Sequence, residues 1–116
     1  MSDYKEQIKE CYRVLEEKKA EDIKILYLGE KSSVADYFII ASGLADPHIN
    51  ALKNALHELF LEENIHFKNK HDTPKTGWIA VDAFYFVVHL FSREMREYYS
   101  LETLWKDAKE ISVEDL

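Results

Sequence analysis

The run Tyr37-Phe38-Ile39-Ile40-Ala41 does most to limit what this chain can become. Apolar residues follow one another there with no wet position between them. A strand that is apolar on both faces must be covered above and below, so it belongs near the centre of a layered sheet. Ser42-Gly43 ends the run. Asp46-Pro47 then reads as an N-cap residue followed by proline at the first helical position. The helix so opened runs to about Glu63, with Ile49, Leu52, Leu56, Leu59 and Phe60 as its apolar stripe.

The remaining elements follow from the same periodicities. Tyr4, Ile8, Cys11, Tyr12 and Leu15 recur at three- and four-residue spacing and predict a helix from about Asp3 to Ala20. Ile23–Leu28 predicts a strand ended by Gly29. The alternation Ile65-His66-Phe67-Lys68 predicts a strand with one wet face near a sheet edge, followed by a loop over His71–Gly77. Trp78–Asp82 and Phe84–Phe91 predict two more strands. Their connection falls near Asp82–Tyr85, where no glycine stands to take positive φ. Ser92 is placed to cap a helix over Arg93–Tyr98, and Ser100 to cap another that carries Leu101, Leu104 and Trp105. The order α β β α β β β α α predicts an α/β domain with a mixed sheet of about five strands and helices packed on it. With 116 residues and no linker, repeat or low-complexity segment, residues 1–116 are expected to form one domain.

Charge narrows the function. The 15 Lys and Arg against 22 Asp and Glu leave a formal charge of −7. Phosphate backbones and anionic lipid surfaces are held by excess cationic charge, so neither is the expected main target. A basic protein is a suitable partner. The acidic excess has two homes. Residues 20–66 carry 3 basic against 8 acidic side chains, and residues 78–116 carry 4 against 8. Between them, Lys68, Lys70 and Lys75 stand against Asp72 alone. The single cysteine, Cys11, lies on the first helical stripe and reads as a small core side chain. One cysteine in a short chain fits a reducing compartment. The N-terminal residues lack the apolar core of a signal peptide. The longest strongly apolar stretch, Ala83–Leu90, falls far short of the ~20 residues of a membrane helix. A cytoplasmic protein is expected.

The residue types of catalysis are not arranged for it. None of the 5 histidines pairs at H-x-x-x-H spacing, and His66 and His71, which flank a basic loop, have no cysteine beside them. There is no nucleophile elbow, phosphate loop or dinucleotide fingerprint. Ser42-Gly43 before a helix is a weak phosphate-turn signal, and Asp46 at the helix start repels phosphate. No D-x-D pair stands ready to hold two metal ions. Neither an enzymatic activity nor a cofactor or metal is expected. What remains is a surface. Trp78, Phe84, Tyr85, Phe86, Phe91, Tyr98, Tyr99 and Trp105 crowd the last third of the chain. Phe86 and Leu90 read as core. Trp78, Tyr98 and Tyr99 suit a core or a protein interface equally well.

Four segments, taken together and in order, resemble the ribosomal silencing factor (Iojap-like) family. They are Val34-Ala35-Asp36-Tyr37-Phe38-Ile39-Ile40-Ala41-Ser42-Gly43, Gly77-Trp78-Ile79-Ala80-Val81-Asp82, Val87-Val88-His89-Leu90-Phe91, and the stretch from Arg96-Glu97-Tyr98-Tyr99 through Leu101-Glu102-Thr103-Leu104-Trp105 to Ala108. The resemblance implies a fold similar to nucleotidyltransferases without their catalytic residues. It implies binding to the large ribosomal subunit through its protein number fourteen, a basic protein, with small-subunit joining blocked by bulk and translation repressed. It also implies a homodimer off the ribosome. The contact surface it implies is Trp78, Asp82, His89, Phe91, Tyr98, Tyr99, Glu102 and Trp105. Asp36, Tyr37 and Arg96 support that surface or join it. A minor rRNA contact by Lys68, Lys70 and Lys75 is the remaining expectation.

One departure stands out. The family usually has an aromatic residue and then Gly-Asp between the W-x-x-x-D segment and the V-V-H strand. Ala83, Phe84 and Tyr85 occupy those places here. A reshaped hairpin tip is expected, with Phe84 and Tyr85 adding apolar contact. Two other functions stay open beside anti-association: an adaptor in large-subunit assembly, and an enzyme on a nucleotidyltransferase-like scaffold.

Overall fold

A computed structural model describes residues 4–29, 35–73, 77–100 and 108–116, with the side chains of residues 69–73 excepted. Helix α1 spans Tyr4–Glu17, strand β1 Glu21–Tyr27, β2 Tyr37–Gly43, helix α2 Asp46–Glu62, β3 Lys68–Thr73, β4 Trp78–Asp82, β5 Phe86–Ser92, helix α3 Arg93–Tyr99 and β6 Lys109–Ile111. A short 3-10 turn over Val113–Asp115 follows. The strands form one mixed sheet in the order β3-β4-β5-β2-β1-β6. The α/β architecture is the expected one. The three-residue β6, which pairs Tyr27 with Lys109 and Ile25 with Ile111, is an addition to the five strands anticipated.

The apolar run is central, as its composition demands. Every residue of β2 is buried. It pairs in parallel with β5, Tyr37 opposite Phe86 through Gly43 opposite Ser92, and antiparallel with β1. Alternation then splits the sheet into two faces. Ile39, Ala41, Ile79, Val81, Phe86, Val88 and Leu90 point to the side of α1 and α2, where they join Ile8, Cys11, Leu15, Ile49, Leu52, Leu56 and Phe60 in the main core. Leu26, Phe38, Ile40, Ala80, Val87 and Phe91 form a smaller cluster on the opposite face, with Trp78, Met95, Tyr99 and Ala108 packed against it. Truncating a fully buried side chain such as Leu52 or Leu56 leaves a cavity and costs about 2–5 kcal/mol. The end of β2 passes close under the first turn of α2. A Cβ on Gly43 would meet Ile49 Cγ1 at 2.7 Å, so the approach needs glycine there.

Several local expectations are corrected. The N-cap of α2 is Ala45 rather than Asp46, and no side chain caps it; Asp46 and Pro47 are already helical. The edge strand begins at Lys68 and runs through Thr73, across the expected loop. Its pairing with β4, Lys68 opposite Asp82 and Thr73 opposite Trp78, holds it despite its polar composition. The residues that suggested a strand serve packing instead. Ile65 is buried, and the Phe67 ring lies 5.3 Å from Phe60 and 4.7 Å from His57. Strand β5 begins at Phe86, two residues later than expected. Ser92 caps α3 as expected, accepting from the Met95 N–H. Ser100, read as the cap of a further helix, adopts the left-handed conformation and closes α3. The helix expected over Leu101–Trp105 lies outside the described residues.

The turn between β4 and β5 solves the missing-glycine problem by strain. Phe84 takes φ +73°. The Tyr85 N–H donates to Ala83 O and the Phe84 N–H to Asp82 Oδ1. A bulky residue in this region costs about 1–2 kcal/mol. The tip is reshaped, as expected, and both rings project from it: Phe84 and Tyr85 are more than half exposed.

Candidate protein-binding surface

The pleat sorts the implied contact residues. Trp78 and Asp82 on β4 share a face with His89 and Phe91 on β5, because the positions in each pair differ by an even number and the ladder sets Trp78 opposite Phe91. This is the face opposite α1 and α2. Helix α3 returns over it and lays Tyr99 beside Trp78, ring centres 4.6 Å apart, and 6.0 Å from Phe91. Trp78 stacks on Phe91 at 5.4 Å and an interplanar angle of 24°. Tyr98 meets Tyr99 edge to face at 5.2 Å and is 77% exposed. The result is an aromatic cluster in which Phe91 and His89 are buried, Trp78 and Tyr99 are half-buried, and Tyr98 stands in solvent.

His89 is the polar centre of that cluster. It is buried, and its Nδ1 accepts a hydrogen bond from the Trp78 indole N–H at 3.1 Å. Its ring stacks with Phe91 at an interplanar angle of 11° and meets the edge of Phe38 at 4.5 Å. Phe38 and Met95 belong to this cluster and were not singled out from the sequence. Alternation along β2 was the available signal for Phe38, since residues 38, 40 and 42 share one face.

Arg96 lies behind the surface. It is 8% exposed, donates from Nη1 to Ser42 Oγ at 3.0 Å, and sets Nη2 3.5 Å from Asp22 Oδ2. It therefore ties α3 to β2 and β1. Arg93 reinforces the tie through two 2.7 Å bonds to the Glu21 carboxylate. Those bonds hold the Glu21 carboxyl below its ordinary value. Asp22 reaches its place because a bulge lies between Glu21 and Lys24, with Asp22 at φ +50°. An open cleft of about 430 Å³ between β1 and α3 is lined by these same charged groups.

The other implied residues fall elsewhere. Asp82 shares the face but sits at the far end of β4, about 13 Å along the strand from Trp78. Tyr37 points to the main core. Asp36 precedes β2 at the end of the sheet that holds the β4–β5 turn, its N–H donating to Tyr85 O. Lys68 is exposed on β3. Glu102, Trp105 and Lys75 lie outside the described residues, as does the Lys70 side chain. Among the described residues no group of three or more His, Cys, Asp or Glu is disposed to hold a metal ion, and no helix is long and apolar enough to cross a membrane. Cys11 is fully buried, and burial pushes its thiol well above the ordinary value.

Comparison with known proteins adds to this geometry. Residues 1–116 match the family model described as ribosomal silencing factor during starvation. A Bacillus subtilis protein named ribosomal silencing factor RsfS is 38% identical over 93 residues, covering 80% of this chain and 79% of that one. A Mus musculus protein named mitochondrial assembly of ribosomal large subunit protein 1 is 30% identical over 99 residues, covering 79% of this chain and 42% of its own length. A crystal structure of a Chromobacterium violaceum protein superposes with a TM-score of 0.83 at 27% identity, covering 90% of this chain and 88% of that chain.

Proposed function

The chain belongs to the ribosomal silencing factor family, and from that premise we propose that it docks on the large ribosomal subunit through the subunit's protein number fourteen and blocks small-subunit joining by bulk. Translation falls as a result. The observation that carries this reading is the aromatic cluster in which buried His89 and Phe91 support half-buried Trp78 and Tyr99, with Tyr98 exposed at its rim. Aromatic anchors with one polar group fixed among them are what a protein interface requires at its centre. A formal charge of −7 steers such a surface toward a basic protein and away from the surrounding RNA. Blocking needs affinity and volume at the right place, and no chemistry.

Further contacts complete the proposal. Off the ribosome the chain is a homodimer. Lys68, Lys70 and Lys75 form a small basic patch that touches rRNA, so their triple replacement by alanine flattens the salt dependence of binding. The Mus musculus relative's name favours a second reading, an adaptor in assembly of the large subunit.

Sucrose-gradient sedimentation tests the main reading. Purified protein added to separated subunits should comigrate with the large subunit and lower the yield of joined ribosomes. Tyr98→Ala, which removes an exposed ring, should weaken both effects. Comigration with undiminished joining would favour the assembly reading, and no comigration would sink both.

A further inference from the structure

The end of the sheet remote from Trp78 carries a second aromatic group that the proposed function does not use. Tyr85, at the strained β4–β5 turn, stacks on Tyr4 of α1, ring centres 5.1 Å apart at an interplanar angle of 19°. Tyr4 lies 6.0 Å from Tyr37, and Tyr37 lies 5.1 Å from Tyr27. Backbone bonds lock these segments together. Leu28 N–H donates to Asp36 O, and both the Asp36 and Tyr37 N–H groups donate to Tyr85 O. Phe84, Tyr85 and Tyr27 are exposed, while Tyr37 is buried beneath them.

One carboxylate, that of Asp36, bears on the Tyr37 ring, and Lys109 of β6 lies opposite Tyr27. Burial raises the Tyr37 phenol, and the neighbouring Tyr4, Tyr27 and Asp36 raise it further. Of these neighbours only the Asp36 carboxylate is charged at neutral pH, and it adds negative potential at the Tyr37 side chain. The Asp36 carboxylate is paired with no basic side chain among the described residues. Aromatic faces beside a carboxylate match a guanidinium, which stacks on rings and forks to an acid, better than a compact, strongly hydrated ammonium. A nucleobase also stacks on tyrosine, but its phosphates are repelled by Asp36 and by the net charge. Phe84 holds its exposed ring at a backbone conformation that favours glycine, a strain of the kind that clusters at binding sites.

We propose that this tyrosine-lined end is a second docking surface, which takes an arginine side chain from a basic segment of a protein partner. It is independent of the Trp78 surface and of any ribosome. The chain can thus hold two partners, or two segments of one, at opposite ends of its sheet.

The test titrates the isotope-labelled full chain with acetyl-Gly-Arg-Gly-Arg-Gly-amide and follows amide and ring signals by NMR. Saturable shifts should concentrate at Tyr4, Asp36, Tyr37, Phe84 and Tyr85. Asp36→Asn, which keeps the side-chain shape, should weaken binding roughly three- to tenfold. Tyr85→Ser should do the same, and Trp78→Ala should leave it unchanged. The proposal is overturned if no saturable shift appears in the millimolar range, or if shifts scatter over all acidic side chains. It is equally overturned if Asp36→Asn has no effect, if a uridine pentanucleotide binds there more tightly than the peptide, or if Tyr85→Ser acts by abolishing self-association.

Discussion

The indole N–H of Trp78 donates to Nδ1 of His89 across the β4–β5 ladder, at 3.1 Å. An imidazole nitrogen that accepts carries no proton, so His89 is held neutral with its proton on Nε2. The expected result is a pyridine-like Nδ1 signal in long-range proton–nitrogen spectra at neutral pH. Trp78→Phe removes the donor and should cost about 1 kcal/mol beyond its packing effect. A protonated Nδ1 in the wild-type spectrum would refute the assignment.

Glu21 and Arg93 make a prediction about acid. Their paired bonds hold the Glu21 carboxyl below its ordinary value. A carboxyl depressed in the folded state stabilises above its unfolded pKa and loses that contribution as pH falls through its folded pKa. Arg93→Gln should therefore lower the melting temperature at neutral pH, and the difference from wild type should shrink toward zero in acid. A difference constant from neutral pH into strong acid would mean the pair contributes nothing through charge.

Cys11 should be unreactive while the chain is folded. It is fully buried, and its thiol is pushed up by that burial. Ellman's reagent is expected to label it at the rate of unfolding, with acceleration in urea that follows the loss of structure. Rapid labelling in native buffer would contradict the burial.

Phe84 offers a stabilising substitution. Phe84→Gly relieves the cost of φ +73° and should raise stability by about 0.5–1 kcal/mol, after allowing for the extra freedom of glycine when unfolded. Chemical denaturation reads this directly. Unchanged or reduced stability would show that the exposed ring is itself held by favourable contacts. The same variant should not alter sedimentation with the large subunit, since the tip lies at the far end of the sheet from Trp78.

His48 joins the first helix to the second. Its Nδ1 accepts from the Leu44 N–H at 2.9 Å and its Nε2 lies 2.8 Å from Lys18 O. His48→Ala should cost about 1–2 kcal/mol by thermal denaturation, with His48→Gln recovering part of it. No change on alanine substitution would indicate that water replaces both bonds.

Much of this arrangement was legible because period-two alternation is strict. Ile79 and Val81 face the helices while Trp78 and Asp82 face away, and the sequence displays that parity openly. The composition of Tyr37–Ala41 alone located the centre of the sheet. What stayed hidden depends on partners distant in sequence or on backbone angles. Strand β3 has no apolar alternation over Lys68–Thr73 and exists because β4 pairs with it. Arg93 and Glu21 lie 72 residues apart, joined through a bulge that no glycine announces. Asp36 and Tyr37 belong to a family pattern, yet the fold sets them beside Tyr85 rather than beside Trp78. A pattern records which residues matter without recording at which end of a strand they gather.

The parallel pairing of β2 with β5 also imposes a timetable on synthesis. Tyr37 lies opposite Phe86, so the central seam waits until the chain through Ser92 has left the ribosome. Contacts so distant in sequence form slowly and late. Trp78, His89 and Phe91 are made in that same interval, on the strands that close the seam. An unfinished chain therefore lacks both its central seam and the proposed docking face, and the two arrive together. Such a molecule would offer the proposed face only once β5 has been made.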